Sequence, residues 1–186
     1  MNRLHTYLRT KYYLAKWRLL GRNVEVKSRL FIYGKVDIRG KGSVVFGDNC
    51  KILDTDGVGE RYTTIYTYDA KAKVIIGNNV ILSSVRVSAK YEVQVENNTV
   101  LEDSSILDTD FHSIDRERGE PDKESFDKCK VLIGEGTRVG ARSIIGKGVR
   151  IGSNTTVAPG SIVLRSVPSN SFVIGNPARV IRTYDG

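Results

Sequence analysis

The stretch from 131 to 167 repeats a six-residue pattern of apolar and small side chains. An aliphatic residue returns at every sixth position, and a small or β-branched residue follows four places after each one. The aliphatic set is Ile133, Val139, Ile145, Ile151, Val157 and Val163, and the second set is Thr137, Ser143, Val149, Thr155, Ser161 and Val167. This period matches neither an α-helix, with about 3.6 residues per turn, nor an alternating strand, with a period of about 2. It predicts a β-helix of stacked coils.

In such a fold, each six-residue unit supplies one short strand and one turn, and three units close a triangular coil. Successive coils stack at about 4.8 Å, the spacing of paired strands. The aliphatic residue points inward onto its copies above and below, and the small residue fills the corner. We expect the glycine that follows four of the aliphatic residues to ease the tight bend. These glycines are Gly134, Gly140, Gly146 and Gly152.

The pattern is weaker before residue 131. Units are recognisable at several places from Ile32 onward, and the register shifts or slips between them. Two polar stretches interrupt it, at 53–73 and 108–130. We therefore predict an all-β fold, with one β-helix domain over 31–186 and loop insertions at these two places. Long loops held by a rigid scaffold are often functional.

The segment 1–30 has a different pattern. Apolar residues between 2 and 20 roughly follow helical spacing, and Gly21 is a plausible end of the helix. We interpret this segment as a helical cap over the open end of the β-helix, because terminal coils need cover. An alternative remains open: the helix lies on a membrane, with its basic side chains facing anionic lipid. Those side chains are Arg3, Arg9, Lys11, Lys16 and Arg18.

The net charge of +8 comes from this end of the chain. Residues 1–35 contain nine Lys or Arg and one acid, Glu25, whereas the remainder is balanced at 20 basic and 20 acidic residues. A charge confined in this way argues against a nucleic-acid-binding solenoid. Two cysteines, Cys50 and Cys129, make no disulfide framework, and no membrane span or signal peptide is visible. These features suggest a cytoplasmic protein.

Two motifs resemble a known family. The units at 145–150 and 151–156, IGKGVR and IGSNTT, are similar to those of the hexapeptide-repeat acyltransferases. The ending at 173–182, VIGNPARVIR, resembles the closing motif of the sugar O-acetyltransferase branch. The resemblance covers about 74 to 183. It implies a left-handed parallel β-helix, a homotrimer with active sites between subunits, and acetyl-CoA as the acetyl donor, without a metal.

The resemblance also implies site residues. His112 matches the family's catalytic histidine, and histidine is the natural general base near neutral pH. Asp110 could orient its imidazole or bind a sugar hydroxyl, and we take it as the second catalytic candidate. For coenzyme A, the carried-over positions are Ala141 and Pro159, which would meet the pantetheine arm. Arginines that suit the phosphates are Arg165, Arg179 and Arg182.

Three positions depart from the family pattern. Arg138 stands where a tryptophan is common, Ala141 where galactoside-acting members carry serine, and Leu164 where threonine is frequent. The sequence predicts an O-acetyltransferase acting on a sugar or polysaccharide precursor. N-acetylation of an amino sugar, acetylation of a drug and a non-catalytic solenoid remain as alternatives. The identity of the acceptor is left open, because loops of this kind diverge freely.

Overall fold

The fold is described from a computed structural model, which covers residues 3–54, 62–110 and 126–184. His112 and most of the second predicted insertion lie outside these ranges.

Short strands dominate the described chain, with one helix before the first strand and a second, short helix before the last eight strands. In chain order the elements are α1 (Arg3–Leu19), β1 (Asn23–Val26), β2 (Leu30–Ile32), β3 (Lys35–Gly40), β4 (Ser43–Phe46), β5 (Cys50–Leu53), β6 (Tyr62–Thr67), β7 (Lys73–Ile76), β8 (Ile81–Ser83), β9 (Arg86–Ala89), β10 (Glu92–Val95), β11 (Val100–Glu102), β12 (Ser105–Leu107), α2 (Phe126–Cys129), β13 (Val131–Ile133), β14 (Arg138–Val139), β15 (Ile144–Ile145), β16 (Arg150–Ile151), β17 (Thr156–Val157), β18 (Ile162–Val163), β19 (Ser171–Gly175) and β20 (Ala178–Thr183).

Every third strand pairs with the next, so the strands form three parallel sheets. The first sheet runs β1-β4-β7-β10-β13-β16, and the third runs β3-β6-β9-β12-β15-β18. The second runs β2-β5-β8-β11-β14-β17-β19-β20, and only its last pair is antiparallel. Three strands thus make one turn of a left-handed parallel β-helix, with one sheet on each side of the triangle. This confirms the predicted fold class.

The core is a stack of inward aliphatic side chains. All six repeating aliphatic positions between 131 and 167 are at most 1 % exposed. Each aligns with its counterpart one coil away, as Ile133 does with Ile151 and Val139 with Val157. The small residues of the repeat are also buried, and several use their hydroxyl at the corner: Thr137 donates to the Gly152 carbonyl at 3.1 Å. The predicted inward and corner roles are therefore both confirmed.

The repeated glycines serve a different purpose from the predicted one. A β-carbon on Gly152 would lie 2.2 Å from the backbone nitrogen of Ser169, in the next coil. The backbone adopts a left-handed conformation, with positive φ, two residues after these glycines, as at Gly148 and Asn154. The glycine beside the aliphatic residue is thus required by the close approach of stacked coils rather than by the bend.

Helix α1 closes the N-terminal end of the core. Trp17 is 3 % exposed and stacks on Phe46, with ring centroids 6.4 Å apart. Thr10 lies against the first coil, and its hydroxyl oxygen accepts a hydrogen bond of 3.1 Å from the backbone N–H of Ile32. The cap interpretation agrees with this packing. Neither described helix has the length and apolar character needed to cross a membrane.

Two predicted boundaries need correction. The helical segment ends at Leu19, and β1 starts the first coil at Asn23, ahead of the predicted boundary at residue 31. The insertion placed at 53–73 is too long, because β6 and most of its following turn belong to the regular coils. Its tyrosine-rich sequence concealed the strand: Thr63, Ile65 and Thr67 point inward, so the aromatic side chains alternate outward.

Candidate active site

The second predicted insertion starts from a rigid stem. Asp108 directly follows β12 and is fully buried. Its carboxylate accepts the backbone N–H groups of Lys90, at 2.8 Å, and Tyr91, at 2.7 Å, in the preceding coil. Burial raises the pKa of Asp108, and the two backbone donors partly offset that effect. Asp108 therefore fixes the end of the coil that precedes the segment carrying His112.

The far end of the same segment is attached to the same turn. Lys130, just before β13, forms an ion pair with Glu92, and Glu92 is almost completely buried. The ring of Phe126, which begins α2, lies edge-on to Tyr91, with centroids 6.3 Å apart. Both ends of the segment 111–125 are thus anchored against residues 90–92.

Asp110 lies two residues beyond Asp108, and its Oδ2 is 2.7 Å from Nζ of Lys147. Lys147 follows Gly146 in the next coil, at the same corner of the triangle, so it is one coil below the stem. Lys147 is not among the site residues that the sequence indicated. Its position in the repeat, directly after the glycine, marked an outward turn residue but gave no sign that Asp110 would reach it.

Ala141 and Pro159 meet at the corner between the second and third sheets, which we call the pantetheine corner and define by 140–143 and 158–161. The Ala141 carbonyl accepts the Gly160 amide at 2.8 Å, and Gly140 lies directly against the Pro159 ring. The structure therefore stacks the two carried-over positions in adjacent coils. Pro159 has no N–H, so only its carbonyl is available for a hydrogen bond with a ligand amide.

The closing hairpin of β19 and β20 brings an arginine to the same corner. The Gly175 amide donates to the Ser161 hydroxyl at 3.3 Å, which places the hairpin turn beside the pantetheine corner. Arg179 pairs with Ile174 next to this turn and is exposed. Arg182 pairs with Phe172 farther along the strand, where its guanidinium lies 5.0 Å from the ring centre of Tyr184.

Arg165 lies at a different corner. It follows β18 and belongs with Asp110 and Lys147, at the corner that leads from the third sheet to the next coil. We call this the stem corner. Lys147 follows Ala141 by six positions along one side of the triangle, about 20 Å of extended chain. The predicted site residues are thus divided between two corners of this chain, with the third sheet between them.

A groove on the outer face of the third sheet continues from the stem corner toward the N-terminal end. Its volume is about 930 Å³. Tyr66 and Tyr68 lie edge to face in it, with centroids 4.1 Å apart, and Arg86 and Ser88 line the next strand. Ser88 pairs with Leu107, the residue before Asp108, so the groove ends beside the stem. It combines aromatic surface with cationic and hydroxyl groups.

The two thiols lie in the core. Cys50 is 1 % exposed, and its Sγ donates to the Gly77 carbonyl at 3.0 Å, while Cys129 is fully buried. Burial raises the pKa of the Cys50 thiol, which disfavours the thiolate. Within the ranges that the structure describes, no three His, Cys, Asp or Glu side chains are grouped to hold a metal ion.

Comparison with known proteins gives consistent matches. Residues 130–165 match the model of the bacterial transferase hexapeptide, six repeats. A protein of Escherichia coli K12 named as a lipopolysaccharide biosynthesis O-acetyl transferase, WbbJ, is 26 % identical over 157 residues, covering 80 % of this chain and 76 % of its own. Residues 130–165 thus carry the hexapeptide repeat that the motifs predicted, and the chain is similar over most of its length to an acetyltransferase.

Two solved structures share the fold. A mutant of AntD, an N-acyltransferase from Bacillus cereus in complex with dTDP and coenzyme A, superposes with a TM-score of 0.70 at 17 % identity, covering 92 % of this chain and 89 % of AntD. The polysialic-acid-specific acetyltransferase NeuO gives a TM-score of 0.53 at 26 % identity, covering 87 % of this chain and 77 % of NeuO. Because AntD is only 17 % identical, its match shows a shared fold and nothing further.

Proposed function

We propose that this protein transfers an acetyl group from acetyl-CoA to a hydroxyl of a sugar or polysaccharide precursor, with His112 as the general base. The observation that carries the proposal is the anchored stem. Asp108 and the Lys130–Glu92 pair fix both ends of the His112 segment at one corner of a rigid scaffold. Proton transfer by a positioned side chain requires such a support.

In the proposed reaction His112 removes the proton from the acceptor hydroxyl as its oxygen attacks the thioester carbonyl carbon. The tetrahedral intermediate collapses with cleavage of the carbon–sulfur bond, and the protonated His112 returns the proton to the departing thiolate. No acyl-enzyme forms, which agrees with the burial of both thiols. Asp110 would orient the imidazole, and backbone N–H groups would stabilise the oxyanion, because Ala141 offers no hydroxyl.

The coenzyme would lie along the pantetheine corner. Stacked turns at Ala141 and Pro159 offer backbone groups to the amides of the pantetheine arm, and Arg179 stands where the closing hairpin meets them. Guanidinium groups bind phosphate through paired hydrogen bonds. The residues that fit coenzyme A are thus on this chain, with Arg182 farther along β20.

Division of the site residues between two corners supports a homotrimer. In one chain, the third sheet separates the stem corner from the pantetheine corner. A second copy that contributes its pantetheine corner to the first copy's stem corner would complete the site. Closed symmetric assemblies are the common form of soluble oligomers, and a three-fold axis would create three such sites.

The acceptor would occupy the groove beside the stem. Tyr66 and Tyr68 present ring faces and edges suited to sugar rings, while Ser88 and Arg86 can bind hydroxyl or acidic groups. The similarity to the O-acetyl transferase of Escherichia coli favours a hydroxyl acceptor, and the similarity to the polysialic-acid-specific acetyltransferase NeuO favours a glycan. N-acetylation of an amino sugar stays the alternative that the sequence left open.

The test is acetyl-CoA turnover, followed as free thiol release, against sugars, nucleotide-sugars and amino sugars. We expect turnover with a sugar that has no free amine, and its loss in His112→Ala. Turnover with free amines alone would establish N-acylation instead. A fully active His112→Ala variant would show that His112 is not the base. Absence of acetyl-CoA binding, measured by calorimetry, would contradict the enzyme function.

A further inference from the structure

Helix α1 carries a second apolar stripe, opposite to the one that caps the core. The residues packed toward the core follow helical spacing and are Thr6, Thr10, Tyr13, Leu14 and Trp17. A second set has the same spacing but lies half a turn away, and it consists of Leu4, Leu8, Tyr12, Ala15 and Leu19. The four large side chains of this outer stripe are between 56 % and 88 % exposed. The helix is therefore apolar on two opposite faces.

Basic side chains border the outer stripe on both sides. At about 100° per residue, Lys11 and Arg18 lie along one edge, and Lys16 lies along the other. The helix contains no acidic residue. Within the part of the chain that the structure describes, no carboxylate forms an ion pair with these three cations. The arrangement is an exposed apolar band between two rows of positive charge.

Other cations of this end already have partners in the fold. Arg22 donates to the Gly40 carbonyl at 3.0 Å, and Arg29 forms an ion pair with Asp48 at 3.1 Å. Arg9 donates to the Tyr33 carbonyl. The basicity of the N-terminal segment is therefore divided. These arginines tie the cap to the first coils, whereas Nζ of Lys11 and of Lys16 lies over rings of the same helix, Tyr7 at 5.6 Å and Tyr13 at 5.8 Å. With Arg18 these two lysines flank the outer stripe without tying it to the coils.

We propose that the outer stripe docks this protein onto an anionic phospholipid surface, with helix α1 lying parallel to the membrane plane. Leu4, Leu8 and Leu19 would enter the boundary between headgroups and acyl chains, and the flanking cations would meet lipid phosphates. Helices that bind at this depth combine an apolar face with a Lys/Arg-rich polar face. Here the polar edges carry the charge, because the opposite face is occupied by the core.

Charge complementarity identifies the lipid surface as the partner. A second copy of this chain would present the same positive rows, and like charges would face each other across the contact. Lipid phosphates meet both rows at once. Each Lys or Arg near an anionic bilayer increases partitioning by about fivefold, and apolar insertion adds to that.

The experiment is flotation of the full-length protein with vesicles of phosphatidylcholine, alone or with about a third phosphatidylglycerol. We expect flotation with the anionic vesicles, weakened by added salt because screening shortens the reach of the charges. Lys11→Glu with Arg18→Glu should reduce partitioning by about twenty-fivefold or more. Lys71→Glu, a similar charge change on an exposed residue of the β6–β7 turn, should change it little.

Leu8→Glu with Leu19→Glu should abolish flotation while leaving the thermal unfolding midpoint close to wild type, since both side chains are exposed. Light scattering on the same samples tests the alternative that a second copy of this chain covers the outer stripe. If the wild-type protein does not float, and the leucine variant has a smaller oligomer, the stripe is a contact between copies and the proposal is wrong. Equal flotation of wild type and both helix variants would also overturn it.

Discussion

The Asp110 carboxylate lies 2.7 Å from the Lys147 ammonium, across two coils that meet at the stem corner. Both side chains are partly exposed, so the pair contributes little to stability. Its importance is positional, because it holds Asp110 at the base of the segment that carries His112. The ion pair also connects the proposed catalytic segment to the regular coils below it.

Removing either partner should shift the pH dependence of turnover in opposite directions. Asp110→Asn removes a negative charge two residues from His112 in the sequence, so the acid limb of kcat/KM should move to lower pH. Lys147→Met removes a positive charge and should move the limb to higher pH. We expect kcat/KM of Asp110→Asn to fall at least about tenfold.

The pH–rate profile of both variants checks this prediction. Lys128→Met, an exposed lysine of α2, is the control and should leave the acid limb in place. Shifts in the same direction for Asp110→Asn and Lys147→Met would contradict the proposed role of the pair.

Asp108→Asn should destabilise the protein by about 1–3 kcal/mol, because an amide presents one oxygen where two backbone N–H groups require acceptors. Urea unfolding of both proteins measures the difference. Asp127→Asn, an exposed residue at the other end of the same segment, is the matched control and should change little.

The stability gap between wild type and Asp108→Asn should depend on pH. Because the pKa of Asp108 is raised in the folded state, the folded protein holds this proton more tightly than the unfolded chain does. The contribution of this proton to the free energy of unfolding is therefore fully present below the ordinary aspartate pKa of 3.8, and it is lost as pH rises through the pKa of Asp108 in the folded protein. Asparagine does not titrate, so the gap should narrow with rising pH. A gap that widens would contradict the direction of the shift.

Arg179→Ala should raise KM for acetyl-CoA by about tenfold, as should Arg165→Ala, since each would remove a charged phosphate contact. The kcat value should change less in Arg179→Ala, because the phosphates lie at the opposite end of the pantetheine arm from the reacting thioester. Initial rates at varied acetyl-CoA concentration measure both constants.

Arg150→Ala provides the control for these variants. Arg150 is an exposed arginine at the start of the first sheet, just past the stem corner, and its loss should leave KM unchanged. A comparable increase of KM in Arg150→Ala would mean that the loss of any positive charge weakens acetyl-CoA binding, and that no specific phosphate contact was removed.

Tyr66→Ala should raise KM for the acceptor by about tenfold and leave KM for acetyl-CoA unchanged, because a stacked aromatic contact contributes about 1 kcal/mol or more. Tyr66→Phe keeps the ring and should remain close to wild type. An unchanged acceptor KM in Tyr66→Ala would show that the acceptor does not use the groove.

Gly152→Ala should cost about 3 kcal/mol of stability, because its β-carbon would collide with the backbone of Pro168 and Ser169. Gly160→Ala is the matched control. Gly160 has a φ of +73° and nothing within 4 Å of an added β-carbon, so the cost is backbone strain alone, about 1 kcal/mol. Denaturant unfolding distinguishes the two, and equal costs would contradict the importance of coil stacking.

The hexapeptide pattern was sufficient to predict the coils from 131 to 167, because one local rule repeats in every unit: an aliphatic residue inside and a small residue at the corner. The earlier coils follow the same rule with varied residues. There, the polar and aromatic residues of 62–67 suggested a loop. In the structure they form a strand, with Thr63, Ile65 and Thr67 at the inward positions. Parallel pairing with β3 and β9 decided that case, and pairing partners 22 or more residues away leave no local signal.

The sequence by itself determined the fold class, the terminal cap and the candidates Asp110, Ala141, Pro159 and the arginines, because these follow from periodicity or from motifs. Only the tertiary structure decided which of them share a corner, that Asp108 is a buried anchor, that Lys147 reaches Asp110, and that helix α1 is apolar on both faces. These are relations between coils and across a helix. They depend on how the chain stacks in three dimensions, and a six-residue pattern carries no record of which side chains meet between one coil and the next.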